Sequence, residues 1–168
     1  MQILLADFAK KFPDALSKHF LCLPAGQNFC KIERMKPITT TLRVRYSETD
    51  QMGTFYNAQA LVWFEVGRSE WLRATGTPYT QWEEKGIMLP LVCSHVEYLA
   101  RARYDDELEV STTAELTGKA RMQFDIEIFN KTTGKLIAKG YTIHALTNPT
   151  GRPTRPPAWL LELLENLE

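Results

Sequence analysis

Residues 46–76 read YSETDQMGTFYNAQALVWFEVGRSEWLRATG, and the run from Thr54 onward has the composition of a long helix. Thr54 and Asn57 are both suitable N-caps, because a short side-chain oxygen can accept from the unsatisfied N–H groups of a first turn. Gly76 suits the left-handed position that follows a last turn. Apolar residues occupy most of the surface of this helix, namely Leu61, Val62, Trp63, Phe64, Val66, Trp71 and Leu72. So wide an apolar stripe predicts a central helix that is buried on several sides.

A short polar turn, residues 47–53, precedes this helix. An aspartate at such a place, here Asp50, is often only a turn residue. Gly53, however, would let a ligand approach the backbone closely, and Tyr56 and Asn57 add polar groups where the helix N–H groups can bind an oxyanion. A carboxylate that faces those N–H groups across a cleft could attack or deprotonate water while the helix holds a carbonyl oxygen. That combination favours acyl transfer.

The rest of the chain alternates apolar and polar residues with the period of two that half-buried strands show. The predicted strands begin at residue 38 and then cover residues 91–99, 107–116, 121–129 and 136–146. Pro156 and Pro157 begin a short C-terminal helix. This order predicts the α+β class, with an antiparallel sheet of about five strands against one long central helix. The open edges of such a sheet favour pairing with a second subunit, so we expect at least a dimer.

The composition argues against several classes of protein. The 20 basic and 20 acidic residues cancel, so no overall field attracts nucleic acid or an anionic membrane. No apolar run approaches the ~20 residues of a membrane span. The three scattered cysteines argue against a disulfide scaffold and fit a reducing compartment, so we expect a cytoplasmic protein. The histidines and cysteines form no recognisable metal set, and we expect neither a metal nor a redox cofactor.

The motif RYSETDQMGTFYN at 45–57, which continues to WFEVGR at 63–68, resembles the signature of hotdog-fold acyl-CoA thioesterases. More narrowly, it resembles the 4-hydroxybenzoyl-CoA thioesterase-like group, which includes the Tol-Pal-associated thioesterases. The resemblance extends through GIMLP at 86–90 and ARYDD at 102–106 and covers residues 38–148. It implies a sheet wrapped round one helix, homodimers that often pair as homotetramers, and active sites at the subunit interface.

The resemblance also implies roles for individual residues. Asp50 matches the catalytic aspartate of the family, which acts as nucleophile or as general base on water. Backbone N–H groups near Tyr56 and Asn57 match the oxyanion-binding start of the helix. Relatives often have His or Tyr at the position of Asn57 and Tyr at that of Ala60, and these departures bear on substrate orientation and acyl preference.

An acyl-CoA substrate also needs cations for the phosphates of coenzyme A. Arg101, Arg103 and Arg121 are candidates because they lie at strand ends near turns. The alternative is an ordinary solvated face. Together with Gly53, these three arginines are the predicted substrate-binding residues.

The predicted function is hydrolysis of an acyl-CoA to a free acid and coenzyme A. We predict a hotdog thioesterase domain over residues 37–168 and an N-terminal extension, weakly ordered or helical, over residues 1–36. One alternative is a hotdog hydratase or dehydratase, which normally pairs a histidine with a carboxylate, and no histidine lies near Asp50 in the sequence. Another alternative is a non-catalytic acyl-CoA-binding or protein-interaction module on the same fold. A pure binder does not need Asp50 at a scissile carbonyl.

Overall fold

A computed structural model describes residues 36–165 of the chain. The predicted N-terminal extension, apart from Lys36, lies outside the described residues. In chain order the elements are β1 (Ile38–Arg43), α1 (Gln59–Ala74), α2 (Tyr79–Glu84), β2 (Leu91–Tyr98), β3 (Glu107–Leu116), β4 (Arg121–Asn130), β5 (Leu136–Ala145) and α3 (Ala158–Glu165). A single 3-10 turn, Tyr46–Glu48, follows β1. The predicted α+β class and the short C-terminal helix are confirmed.

The strands form one antiparallel sheet in the order β1-β3-β4-β5-β2. The three middle strands have ten residues each. Strands β3 and β4 bury every second side chain, as their alternating sequences predict. In β5 the neighbours Ile137 and Ala138 are both buried, and alternation holds only from Thr142 onward. The register pairs Arg43 with Glu107 and Tyr98 with Ala138. The last residues of both edge strands, β1 and β2, therefore lie at the same end of the sheet as the first residues of β3 and β5.

Helix α1 packs across one face of this sheet at very close range. Its buried residues are Ala60, Trp63, Phe64, Gly67, Trp71 and Leu72. Gly67 allows the close approach, because a Cβ atom there would lie 2.5 Å from Thr112 Oγ1 and 2.7 Å from Val110 Cγ1 of β3. The helix ends before Gly76, whose φ of +79° confirms the predicted left-handed position.

Two details of α1 differ from the prediction. The N-cap is Ala58, which makes no side-chain capping bond, so neither Thr54 nor Asn57 caps the helix. Leu61 and Val62 are 41% and 48% exposed, so the predicted burial on several sides is wrong for this face within one chain. An apolar stripe indicates that a surface avoids water, but it does not say whether the same chain or another copy covers it.

No helix in the part of the chain that the structure describes is long and apolar enough to cross a membrane. The expected cytoplasmic location and reducing compartment stay predictions.

Candidate active site

The polar turn before α1 is closed by its own backbone. The Asp50 N–H donates to the Thr54 carbonyl at 2.9 Å, and the Gly53 N–H donates to the Asp50 carbonyl at 3.1 Å. Gly53 adopts a φ of +68°, which a side chain would strain. Gly53 therefore shapes the turn, and it is not among the residues that line the cleft beside it.

The Asp50 carboxylate has one bonded and one unbonded oxygen. Oδ1 accepts a hydrogen bond from the Met52 N–H at 2.8 Å, which is the turn role that aspartates often have. Oδ2 forms no hydrogen bond or ion pair with any residue between 36 and 165. Asp50 is half-buried and lines the cleft, so the turn role of Oδ1 leaves Oδ2 available for chemistry.

A cleft of about 470 Å³ lies where this turn faces the chain that leaves β2. Asp50, Tyr56 and Asn57 line it from one side, and Tyr98 and Arg101 line it from the other. The structure thus brings together three predicted catalytic residues and one predicted phosphate-binding arginine.

The backbone N–H of Asn57 is unbonded at the point where the turn meets α1. The Tyr56 N–H donates to the Glu48 carbonyl at 2.8 Å, and the Tyr56 carbonyl accepts from the Gln59 N–H at 2.9 Å. A trans peptide directs its N–H opposite to its C=O, so the Asn57 N–H points away from the first turn of α1. It forms no hydrogen bond within the described part of the chain. Of the N–H groups predicted near Tyr56 and Asn57, that of Tyr56 holds the turn and that of Asn57 is available.

Two contacts hold this turn against β2 and the loop that follows it. The Phe55 N–H donates to the carbonyl of Ala102 in that loop at 2.8 Å, and the hydroxyl of Tyr98, the last residue of β2, donates to the Asn57 carbonyl at 2.9 Å. The Phe55 ring is buried and packs on Trp63, with ring centroids 4.9 Å apart. The sequence gives no sign of this role of Tyr98, because alternation along a strand does not reveal a partner forty-one positions away.

The three predicted phosphate-binding arginines have different positions. Arg101 is exposed and lines the cleft. Arg103 is exposed nearby but does not line it, and its N–H donates to Asp106 Oδ2 at 2.8 Å. Arg121 is the first residue of β4, and the cleft lies near the other end of this strand, at Asn130. The ten residues of β4 span roughly 30 Å. Within one chain the structure does not bring Arg121 to the cleft.

Neither histidine in the described range lines the cleft. His144 is buried in β5, where Nδ1 donates to the Leu89 carbonyl at 2.9 Å and Nε2 lies 3.4 Å from Arg68 Nη1. His95 is exposed on the edge strand β2. Across residues 36–165, no group of three His, Cys, Asp or Glu side chains is placed to hold a metal ion.

Acidification is expected to lower the stability of the protein through His144. Burial lowers the pKa of the imidazole from 6.5 to about 4, and Arg68 acts in the same direction while the bond to Leu89 opposes them. The unfolded chain therefore takes up the proton first, so stability present above pH 6.5 is lost as the pH falls to about 4. The loss is on the order of 2 to 4 kcal/mol.

Urea unfolding at about pH 7 and about pH 4.5 measures this effect, with His144→Gln as the comparison. The carboxylates titrate in both the wild type and the variant. The difference between the stability changes of these two proteins with pH therefore isolates His144. We expect the variant to lose less stability between the two pH values. Identical losses would contradict the prediction.

Comparison with known proteins shows which family the chain resembles. A family model described as the thioesterase-like superfamily matches residues 44–164. YneP of Bacillus subtilis (strain 168), a provisionally assigned acyl-CoA thioesterase, is 35% identical over 103 residues, which are 61% of this chain and 74% of that protein. The crystal structure of DHNA-CoA thioesterase from Staphylococcus aureus is 30% identical, with a TM-score of 0.69 over 77% of this chain and 89% of that chain.

A more distant structure extends the likeness in fold. The crystal structure of a 4-hydroxybenzoyl CoA thioesterase variant, complexed with 4-hydroxybenzoyl CoA, is 20% identical and has a TM-score of 0.69. The match covers 77% of this chain and 99% of that chain. The predicted hotdog fold and the predicted resemblance to this group of proteins are confirmed.

Proposed function

The chain belongs to the thioesterase-like superfamily of hotdog-fold thioester hydrolases, and from this premise we propose that it hydrolyses an acyl-CoA to a free acid and coenzyme A. Asp50 provides the base or the nucleophile, and the backbone N–H of Asn57 stabilises the oxyanion. One observation carries the proposal: the half-buried Asp50 carboxylate and the residue with the unbonded N–H line the same cleft.

Asp50 can start the reaction in either of two ways. As a general base, Oδ2 takes a proton from water while the water oxygen attacks the thioester carbonyl carbon. As a nucleophile, Oδ2 attacks that carbon itself and forms an acyl anhydride that water then hydrolyses. In both routes the C–S bond breaks, the thiolate of coenzyme A leaves and takes up a proton, and the acyl group ends as a carboxylic acid.

The start of α1 supplies partial positive charge that stabilises the tetrahedral intermediate of the reaction. Negative charge develops on the thioester oxygen when the carbonyl carbon becomes tetrahedral, and a helix N-terminus is a favourable place for it. A donor that is already oriented, such as the Asn57 N–H, costs no reorganisation during the reaction. Single donors of this type are typically worth about 10²- to 10³-fold in kcat.

The walls of the cleft suit the two ends of an acyl-CoA. Met52, Phe55, Tyr98 and Leu99 give an apolar wall for the acyl group. Arg101, at the exposed rim, can pair with a phosphate of coenzyme A. Arg103 and Arg121 remain proposed phosphate ligands, and Arg121 would reach a cleft only from another subunit.

The proposal includes a homo-oligomer, because apolar residues remain uncovered on two elements of one chain. Leu61 and Val62 are exposed on α1, and Leu91 and Tyr98 are exposed on the edge strand β2. An edge strand also presents unpaired backbone groups to another chain. Light scattering on the purified protein is expected to give two or four chain masses, and a monomer at micromolar concentration would contradict this part of the proposal.

Product analysis separates the proposed reaction from its alternatives. Hydrolysis releases free thiol and carboxylic acid in equal amounts from both saturated and unsaturated acyl-CoAs. A hydratase would convert an enoyl-CoA to a hydroxyacyl-CoA without releasing thiol, and the absence of a histidine from the described lining of the cleft argues against it. A binding module would retain acyl-CoA and release nothing. Either of these two results would overturn the proposed function.

A further inference from the structure

Tyr98 joins the sheet to the start of α1 through one hydroxyl group. Its O–H donates to the Asn57 carbonyl at 2.9 Å. We propose that Tyr98 is a positioning residue, whose hydroxyl fixes the Asn57 backbone so that the Asn57 N–H faces the thioester oxygen. This inference rests on the proposed function and adds a requirement to it.

The phenol is held firmly on the sheet side. Tyr98 is the last residue of β2 and pairs with Ala138 of β5. The N–H groups of the next two residues, Leu99 and Ala100, both donate to the Ile137 carbonyl at 2.9 and 3.0 Å. The Tyr98 ring also packs beside Phe55, with centroids 6.1 Å apart. Only two side-chain torsions separate the hydroxyl from this fixed backbone.

The helix side has few other ties to the sheet. The N-cap of α1 makes no side-chain hydrogen bond, and the Asn57 side chain is exposed. The Ala60 N–H reaches the Asn57 carbonyl only at 3.3 Å, and it belongs to the helix itself. The described hydrogen bonds from residues 55–58 to β2 and the loop after it are the Tyr98 contact and the backbone bond from Phe55 to Ala102. The Tyr98 hydroxyl therefore provides the tie that lies next to the oxyanion donor.

Such a tie matters because an oxyanion donor acts over a narrow range of distance. A useful donor lies about 2.7 to 3.1 Å from the position that the charged oxygen will take. Loss of the Tyr98 bond leaves the Asn57 carbonyl with only the Ala60 N–H, at 3.3 Å, so Asn57 can shift relative to the Asp50 carboxylate, which the Met52 N–H holds. Donor and carboxylate would then lose their relative alignment while the cleft keeps its walls.

Steady-state kinetics of Tyr98→Phe tests the inference, since this change removes the hydroxyl and keeps the ring against Phe55. We expect kcat about fivefold to tenfold lower, with KM changed less than about twofold, because the lost alignment acts on the transition state. Tyr104→Phe is the matched control. Tyr104 is exposed and packs on Tyr46 at 5.6 Å, away from the cleft lining, so we expect wild-type kinetics.

The outcomes are distinguishable from one another. An active wild type with an equally active Tyr98→Phe overturns the inference and leaves the proposed function standing. A higher KM at unchanged kcat shows that the hydroxyl contacts the substrate, and a clearly lower thermal unfolding midpoint shows a structural role. Either result also overturns the inference. A wild type without thioesterase activity overturns the proposed function and this inference together.

Discussion

Asp50→Asn is expected to lower kcat by about 10²- to 10⁴-fold, the usual cost of losing a general base or nucleophile. The substitution removes the charge of the carboxylate and keeps an oxygen that can accept from the Met52 N–H. The turn, the fold and KM should therefore change little. Steady-state release of coenzyme A thiol, together with circular dichroism, measures both parts of the prediction.

Asp105→Asn is the matched control for this experiment. Asp105 is an exposed aspartate in the loop before β3, where it pairs with Arg43 at 3.4 Å and does not line the cleft. Its φ of +71° is one that asparagine also tolerates. We expect the control to keep wild-type turnover. Equal activity of Asp50→Asn and the wild type would remove Asp50 from the mechanism.

Gly140→Ala is expected to destabilise the protein by at least about 2 kcal/mol, through overpacking at a site with no space. A Cβ atom at Gly140 would lie 2.0 Å from the His95 carbonyl oxygen and 3.1 Å from Phe64 Cε2. The first of these atoms belongs to the backbone of β2 and the second to a buried side chain of α1. Neither atom can move without displacing the strand or repacking the helix. Because β2 ends at Tyr98, activity is expected to fall as well.

Urea unfolding measures this effect, and Lys139→Ala is its control on the same strand. Lys139 forms a partly exposed ion pair with Glu97 at 3.4 Å, a type of contact that is worth about 1 kcal/mol or less. We expect the control to unfold close to the wild type. A Gly140→Ala protein as stable as the control would show that β2 can move away from Gly140 at little cost.

The strands could be predicted from the sequence because alternating apolar and polar residues indicate a half-buried strand. Along β3, Leu108, Val110, Thr112, Ala114 and Leu116 are all buried, as the period of two predicts. Tight turns between these strands leave antiparallel pairing as the simplest arrangement. The position of Asp50 beside a helix start followed from the order of residues along the chain, so sequence sufficed there too.

The finer features of the site depend on contacts that sequence does not contain. Sequence could not separate the Tyr56 N–H from that of Asn57, since the difference is a bond to the Glu48 carbonyl across the turn. The same limit applied to the arginines. Arg101 and Arg121 both lie near strand ends, but a sheet has two ends, and only the register shows that these residues lie at opposite ones.

Release of coenzyme A thiol from a panel of short, medium, long and aromatic acyl-CoAs tests the central claim most directly. The wild type and Asp50→Asn should be measured side by side, with the acid product quantified in parallel. We predict equal amounts of thiol and acid from at least one acyl class with the wild type, and a rate near background with the variant. No release by either protein, or equal release by both, would contradict an acyl-CoA thioesterase that works through Asp50.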